Sequence, residues 1–330
     1  MYNEYFGFTA LPFQLTPDHR FFYDSSEHRK ALAHLTFGLH NPEGFVVITG
    51  EVGAGKTTLI EHLLSNLDAD EFIVGKIVTT NLDPENLLKM IAYSFGIEDV
   101  GDDKYLILRH LEEFMRSAHS QGKTVLLIVD EAQNLPFTAI EELRMLSNLQ
   151  VGHHAPLQFI LMGQPQLRTM LASKDLEQLR QRVIASYHLK PLTAQETEGY
   201  IIHRLEMVGW KKRPSFTHDA FKAIYHVTEG VPRRINTLCS RLLLASYLEE
   251  NDEISEQVVE RIAQEQNSEL SDDSVQNIKM NAKEKSAPLA KKTTKPMSQS
   301  KKLALKVSAI EETIKNFETF LKEHLEPKSS

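Results

Sequence analysis

The chain has one cysteine, Cys239, in 330 residues, so it can form no internal disulfide and assemble no thiolate zinc site. That usage fits a reducing compartment. Long apolar runs are also missing. The longest, Phe45-Val46-Val47-Ile48 and Val125-Leu126-Leu127-Ile128-Val129, reach about a quarter of the roughly 20 residues a membrane helix needs. The N-terminal Met1-Tyr2-Asn3-Glu4-Tyr5 has no basic stretch ahead of an apolar one, so no secretory signal is expected. None of the 14 histidines falls in an H-E-x-x-H pattern, which removes that class of metal-dependent hydrolase. There is no Asn-Lys-x-Asp guanine reader and no internal repeat. A cytoplasmic chain without a transmembrane segment is expected. With 41% hydrophobic and 25% charged residues it is globular and long enough for one large domain or two ordinary ones.

Charge is unevenly spread. Residues 269–330 hold 12 Lys and no Arg against 9 Asp plus Glu, a net of +3, which leaves −11 on the first 268 residues of a chain whose total is −8. An acidic body weighs against nucleic acid as a nonspecific partner, because neutralisation of phosphates by Lys and Arg dominates such binding.

Short apolar runs alternate with amphipathic helical stretches from about residue 28 to 190, the pattern of an α/β fold with a parallel central sheet. Strands are expected over Phe45–Thr49, Phe72–Thr80, Val125–Val129, Leu157–Met162 and Val183–Leu189, each apolar enough to be buried on both faces. From Pro191 the texture reads as helices only, opened by Thr193-Ala194-Gln195-Glu196 with capping-box spacing. The domain expectation is therefore an α/β domain over 1–190 that includes an aromatic N-terminal segment, and a helical domain over 191–268. A Lys-rich and Ser-rich linker over 269–302 has too few large apolar side chains to offset the entropy of ordering. A terminal helix over 303–326 follows, in which Leu303, Val307, Ile310, Ile314, Phe317 and Leu321 make a heptad seam. That helix reads equally as a docking or coiled-coil element and as an amphipathic helix folded back on its own domain.

Chemistry concentrates in a few places. Gly50-Glu51-Val52-Gly53-Ala54-Gly55-Lys56-Thr57 fits G-x-x-x-x-G-K-[ST], directly after a strand and before a helical run that starts at Thr58. Glycines there let backbone N–H groups turn inward around phosphates, and the helix N-terminus favours anions. Lys56 reaches the terminal phosphates and Thr57 ligates Mg2+. The expected nucleotide contacts thus run from Gly50 through Thr58. The strand Val125–Val129 ends in Asp130-Glu131, a pair suited to divided work: Asp130 holds the metal through water and Glu131 orients and polarises the attacking water. Gln164, at the end of the strand Leu157–Met162, is expected at the same carboxyl edge, where open α/β sheets bind ligands. Four arginines remain, Arg180 and Arg182 before the last strand and Arg233 and Arg234 at a helix start. One is expected to reach a neighbouring subunit's γ-phosphate as a finger and one to close the helical lid over the nucleotide. Without a guanine reader, ATP with Mg2+ is the expected ligand.

With these residues assembled, the chain resembles the AAA+ ATPases of the general secretion pathway ExeA (GspA) type, closest to the short version that accompanies exosortase/PEP-CTERM systems and exopolysaccharide loci. The resemblance covers residues 1 to about 268. It rests on Tyr5-Phe6-Gly7-Phe8, Pro12-Phe13, Thr16-Pro17-Asp18, Gly50–Thr57, Asp130-Glu131-Ala132-Gln133-Asn134-Leu135, Gly163-Gln164-Pro165, Gln178-Leu179-Arg180-Gln181-Arg182 and the run from Gly230 to Asn236. It implies a P-loop sheet in the order 5-1-4-3-2 followed by a small helical lid. Gln164 takes the sensor-1 position, Arg182 the finger with Arg180 second, and Arg233 the sensor-2 position of the lid, while the aromatic N-terminal segment packs near the adenine. It also implies a homo-oligomer that uses ATP to assemble or regulate envelope machinery from the inner face of the cell membrane. Long members continue into a membrane helix and a peptidoglycan-binding domain that this chain does not show. The heptad helix is therefore expected to dock on a separate polysaccharide assembly or export protein. A second reading is a DNA-associated AAA+ regulator resembling the ATPases that select transposition targets, and a third is a scaffold that binds ATP with negligible turnover.

Overall fold

The computed structural model describes residues 2–16, 18–41, 44–78, 83–98, 101–150, 156–266 and 268. The linker and heptad helix expected over 269–302 and 303–326 lie outside the described residues. Five parallel strands, β1 (Phe45–Gly50), β2 (Phe72–Val78), β3 (Thr124–Asp130), β4 (Leu157–Gly163) and β5 (Val183–Leu189), form one sheet in the order β2-β3-β4-β1-β5. This is the expected order read from the other edge. The expected strand to Thr80 is seen as far as Val78, and residues 79 and 80 are outside the described set.

Strand registers explain the composition. In β3, Val125, Leu127 and Val129 join the core on one face of the sheet, while Leu126 and Ile128 join the core on the other. Phe45 and Val47 against Val46 and Ile48 repeat the division in β1, so the runs Phe45–Ile48 and Val125–Val129 are apolar at every position, as burial on two faces requires. After a short N-terminal helix, α1 (Tyr2–Phe6), one face of the sheet is covered by α2 (Ser26–Leu39) and α3 (Lys56–Ser65). The other is covered by α4 (Pro84–Ser94), α5 (Lys104–Ser120), α6 (Phe137–Leu146) and α7 (Pro165–Leu171), whose apolar stripes include Leu87, Ile91, Leu111, Leu143 and Leu167. Helix starts carry their own signals: Ser25, Asp83 and Asp103 each accept a backbone N–H of the first turn.

A third core belongs to the lid helices α8 (Ala194–Glu206), α9 (His218–Thr228) and α10 (Pro232–Leu248). The first of these opens with the expected capping box, Thr193 Oγ1 accepting from Glu196 N and the Glu196 carboxylate from Thr193 N. Two corrections arise here. The region after Pro191 is not helical throughout, because Ser215–Phe216 and Glu253–Ile254 pair as a two-stranded parallel ladder, too short to leave any alternation in the sequence. In addition, Phe6, Phe8, Phe13 and Phe21 of the N-terminal segment share the lid's core rather than the sheet's. Phe13 is 1% exposed, and burying such a ring contributes about 2 kcal/mol. The segment is therefore packed as part of the lid although it is joined in sequence to the α/β domain.

Candidate nucleotide-binding site

The sheet's carboxyl edge brings β1, β4 and β3 side by side, with Thr49 opposite Gly163 and Val129 opposite Leu161. Consequently the loop after Gly50, the residue after Gly163 and the Asp130-Glu131 pair emerge at one edge, as the sequence implied. In the loop, Gly53 and Gly55 have φ of 82° and 97°, a region disfavoured for residues with a Cβ. A Cβ on Gly53 would lie 2.4 Å from Arg233 Cβ, so the close approach of lid to loop also demands glycine there. Arg233 N donates to Gly53 O at 3.2 Å, which ties the start of α10 to the loop.

Gly55 caps α3, and Lys56, Thr57 and Thr58 form its first turn, where unpaired backbone N–H groups favour an anion. Lys56 is 7% exposed and its Nζ donates to Gly50 O at 2.7 Å and Glu51 O at 3.0 Å, which holds the ammonium inside the loop. Burial lowers its pKa, opposed by the carboxylates of Glu131, Asp130 and Glu51. Thr57 Oγ1 lies 3.5 Å from Asp130 Oδ2. A hydroxyl and a carboxylate at the mouth of an anion cradle are the hard oxygen ligands that Mg2+ accepts together with phosphate. The residues present therefore fit a magnesium nucleotide.

Glu131 has φ of 53° and follows β3 directly. Its Oε2 accepts from Gln133 Nε2 at 2.5 Å and from Gln164 Nε2 at 3.1 Å, while Gln133 Oε1 accepts from Gln164 N at 3.0 Å. Partial burial alone would raise the Glu131 pKa; the two amides and the Lys56 charge outweigh it and hold the carboxyl below its usual range. Gln164 is thus joined to Glu131 by a direct contact, and Gln133 completes a closed triangle. In the sequence Gln133 is one residue of the motif Asp130-Glu131-Ala132-Gln133-Asn134-Leu135, with no task of its own. Only the side-chain geometry reveals one.

The four arginines separate. Arg233 lines the cavity beside the loop, whereas Arg234 pairs with Glu229 at 2.6 Å and is not among the lining residues. Arg182 lies at the opposite, amino edge of the sheet: its carbonyl accepts from Phe45 N at 2.9 Å and its Nη1 donates to Ser147 O and Oγ, both at 3.1 Å. Arg180 is exposed and donates to Ala172 O at 3.2 Å. Neither lines the cavity of its own chain.

That cavity measures about 320 Å³. One wall is the loop with Glu131. The other, of which the sequence motifs include Thr16, Asp18 and Asn236 without a task, comprises Gln14 to Thr16, Asp18 and the Phe21-Phe22-Tyr23 run, with His28, Tyr200, Arg204 and Asn236. Phe21, Phe22 and Tyr23 line the cavity, whereas Phe6, Phe8 and Phe13, of the segment expected near the adenine, lie in the lid core and are not among its lining residues. Nothing in the spacing of these residues marks them as neighbours of residue 50, since tertiary packing alone brings them together.

Sheet, loop and lid define a P-loop NTPase fold of the AAA+ type. Residues 39–171 match the family model described as the AAA domain. Over 248 residues, 75% of this chain, the sequence is 38% identical to General secretion pathway protein A of Aeromonas hydrophila, and the matched stretch is 45% of that protein, so this chain spans less than half of its length. Among solved structures, the ORC2 protein of Aeropyrum pernix in its ADPNP–ADP complexes superposes with a TM-score of 0.57 at 17% identity, over 76% of this chain and 72% of that one. Drosophila ORC bound to DNA is similar with a TM-score of 0.55 at 15% identity, over 77% of this chain and 65% of that one. At such identities the structural likeness concerns the fold. Among the described residues no helix is long and apolar enough to cross a membrane, and no cluster of His, Cys, Asp and Glu could hold a metal by itself.

Proposed function

We propose that the chain is an ATPase, converting ATP and water to ADP and phosphate, and that it works as a homo-oligomer in the regulation or assembly of envelope machinery for exopolysaccharide or protein export. The observation that carries the ATPase reading is the convergence of Lys56, Thr57, Asp130, Glu131, Gln164 and Arg233 on one edge of the sheet. The N–H groups from Gly50 to Thr58 and the Lys56 ammonium hold the phosphates. Thr57 and Asp130 would hold Mg2+, which would supply positive charge to the phosphate oxygens. Glu131, kept ionised by its two amide donors and by Lys56, takes the proton of the attacking water. Gln164 links that carboxylate to the end of β4, and Arg233 carries the lid to the loop. Arg182, with Arg180 second, acts on a neighbouring subunit's nucleotide. Their place on the far edge of the sheet supports this role, since an arginine there has no path to its own site.

The export role rests on the 38% identity to General secretion pathway protein A. The narrower assignment, a cytoplasmic ATPase of the exosortase-associated kind that meets an export protein at the inner face of the membrane through residues 303–326, rests on the motif resemblance. The DNA-associated alternative draws on fold likeness alone and is opposed by the acidic body.

ATP turnover measured against protein concentration tests the central step. Specific activity is expected to rise with concentration in the wild type, to vanish in Lys56→Ala, and to stay flat in Arg182→Ala, with a loss of about 10³-fold or more at the plateau. Concentration-independent turnover untouched by Arg182→Ala would refute the oligomeric reading. In the same assay Glu131→Gln is expected to lose at least about 100-fold in turnover while retaining ATP. An unchanged rate would show that Glu131 takes no proton from the attacking water, and negligible turnover in both chains would leave only a nucleotide-binding scaffold.

A further inference from the structure

His28, in the first turn of α2, stands in the cavity wall, and none of the roles above employs it. Its Nδ1 lies 2.7 Å from Ser25 Oγ, which also accepts from the His28 backbone N–H at 3.2 Å as the helix cap. Ser25 is 2% exposed and its hydroxyl has one hydrogen to give. Among its contacts with the described residues, the ring Nδ1 is the group placed to accept that hydrogen. The network therefore assigns the ring proton to Nε2. Burial holds the ring's pKa down to about 4 against the weaker pull of Asp24, Glu196 and Glu27, so the imidazole is neutral at physiological pH.

Nε2 faces the P-loop. A Cβ on Gly55 would sit 2.9 Å from it, and no hydrogen bond joins it to any described residue. The ring plane is held by the edge of Phe22, with centroids 5.3 Å apart, and Phe22 is itself stacked on His62 at 3.9 Å. The result is a rigid, uncharged N–H donor beside the N-terminus of α3, where the N–H groups of Lys56, Thr57 and Thr58 converge.

We infer that His28 is a further ligand-binding residue of this site, its Nε2–H donating a hydrogen bond to a phosphate oxygen of the nucleotide held by the P-loop. The inference rests on the nucleotide reading above. A neutral donor at this place adds a directed hydrogen bond to an anionic oxygen without setting a second positive charge beside Lys56.

Calorimetric titration of the full chain with Mg2+ and either ADP or inorganic tripolyphosphate tests it, using wild type, His28→Phe, His28→Gln and Lys56→Ala. Phe retains the ring's bulk and removes the donor, whereas Gln returns an amide N–H near the Nε2 position. His28→Phe is expected to weaken both ligands about 10-fold, as for one hydrogen bond to a charged group, and His28→Gln to recover most of the loss. Nitrogen-15 NMR of the histidine rings in the wild type is expected to show His28 protonated at Nε2, with a signal that moves when tripolyphosphate is added; this readout stands if the Phe variant does not fold. Wild-type affinity for tripolyphosphate in His28→Phe, or a proton on Nδ1, would overturn the inference. If Lys56→Ala abolishes binding and His28→Phe leaves it intact, the His28 role alone fails. If the wild type binds neither ligand, the nucleotide reading fails and takes this inference with it.

Discussion

The cavity's two walls are built by different means. The phosphate wall is backbone geometry at the ends of strands: eight consecutive residues from Gly50 to Thr57, and a carboxylate pair of which Asp130 ends β3 and Glu131 follows it. The opposite wall is assembled from distant segments through side chains. Arg204 Nε donates to Pro12 O at 2.5 Å across 192 positions, its Nη1 to Tyr200 Oη at 2.7 Å, and Tyr200 Oη to Asn236 Oδ1 at 2.9 Å, while the guanidinium lies 4.7 Å from the centre of the Phe21 ring. A wall made of local backbone geometry is written as a contiguous motif. One made of long-range pairing exists only when the lid and the N-terminal segment are folded together.

The comparison can be broken most directly at Arg204, which is 6% exposed. Arg204→Ala removes a buried cation and leaves the Pro12 carbonyl and the Tyr200 hydroxyl without their donor, at an expected cost of about 3 kcal/mol. Urea unfolding monitored by circular dichroism would measure it. A loss under about 1 kcal/mol would mean that the N-terminal segment is held to the lid by its aromatic packing alone.

A smaller effect is expected on the phosphate wall at Gln133. Gln133→Ala removes the 2.5 Å donor to Glu131 and leaves Gln164 as the remaining amide. Turnover is expected to fall about 10-fold, the value of one hydrogen bond to a charged group. The pH dependence carries a sign. The Glu131 pKa lies below its usual range because the amides and Lys56 overcome the upward push of burial. With one amide gone the pKa rises, and the acid limb of the kcat profile moves to higher pH. A limb that stays in place would show that Gln133 only packs.

The smallest expected effect is at Glu196, where the two halves meet. Its Oε1 accepts from Ser26 N at 2.8 Å at the start of α2, and its Oε2 from Thr193 N at 3.1 Å within the capping box of α8. Burial would raise its pKa, but the hydrogen bonds of Thr193 and Ser26 outweigh it and hold the carboxyl at about 2. Glu196→Ala is expected to cost about 1 kcal/mol at neutral pH. Because the folded-state pKa is depressed, this contribution is complete above the unfolded value near 4.5 and disappears as pH falls through about 2. Urea unfolding of wild type and variant between pH 6 and pH 2 should therefore converge toward the acid end. A gap that stays constant would assign the loss to packing.

How much was legible follows from the same division. The doubly buried strands could be read because burial on both faces leaves apolar residues at every position from Phe45 to Ile48 in β1 and from Val125 to Val129 in β3. The P-loop could be read because its glycines, lysine and threonine must be contiguous to wrap one anion. Thr193 and Glu196 were legible because a capping box closes within one helical turn. By contrast, Ser215–Phe216 and Glu253–Ile254 are too short for periodicity to register, and the pairing of Phe6, Phe8 and Phe13 with the lid leaves no local trace. Gln133 was visible as a letter in a motif, but its triangle with Glu131 and Gln164 depends on how β3 and β4 end side by side.

The sequence by itself determined the anion cradle, the Asp130-Glu131 pair and the five-stranded parallel core, since each follows from chemistry that adjacent residues impose on one another. Only the tertiary structure decided which aromatic residues face the cavity, that Gln133 joins Glu131 to Gln164, and that the ring of His28 turns its Nε2 toward Gly55. Those are relations between segments far apart in the chain, and they are set by the packing of the lid, the N-terminal segment and the sheet against one another.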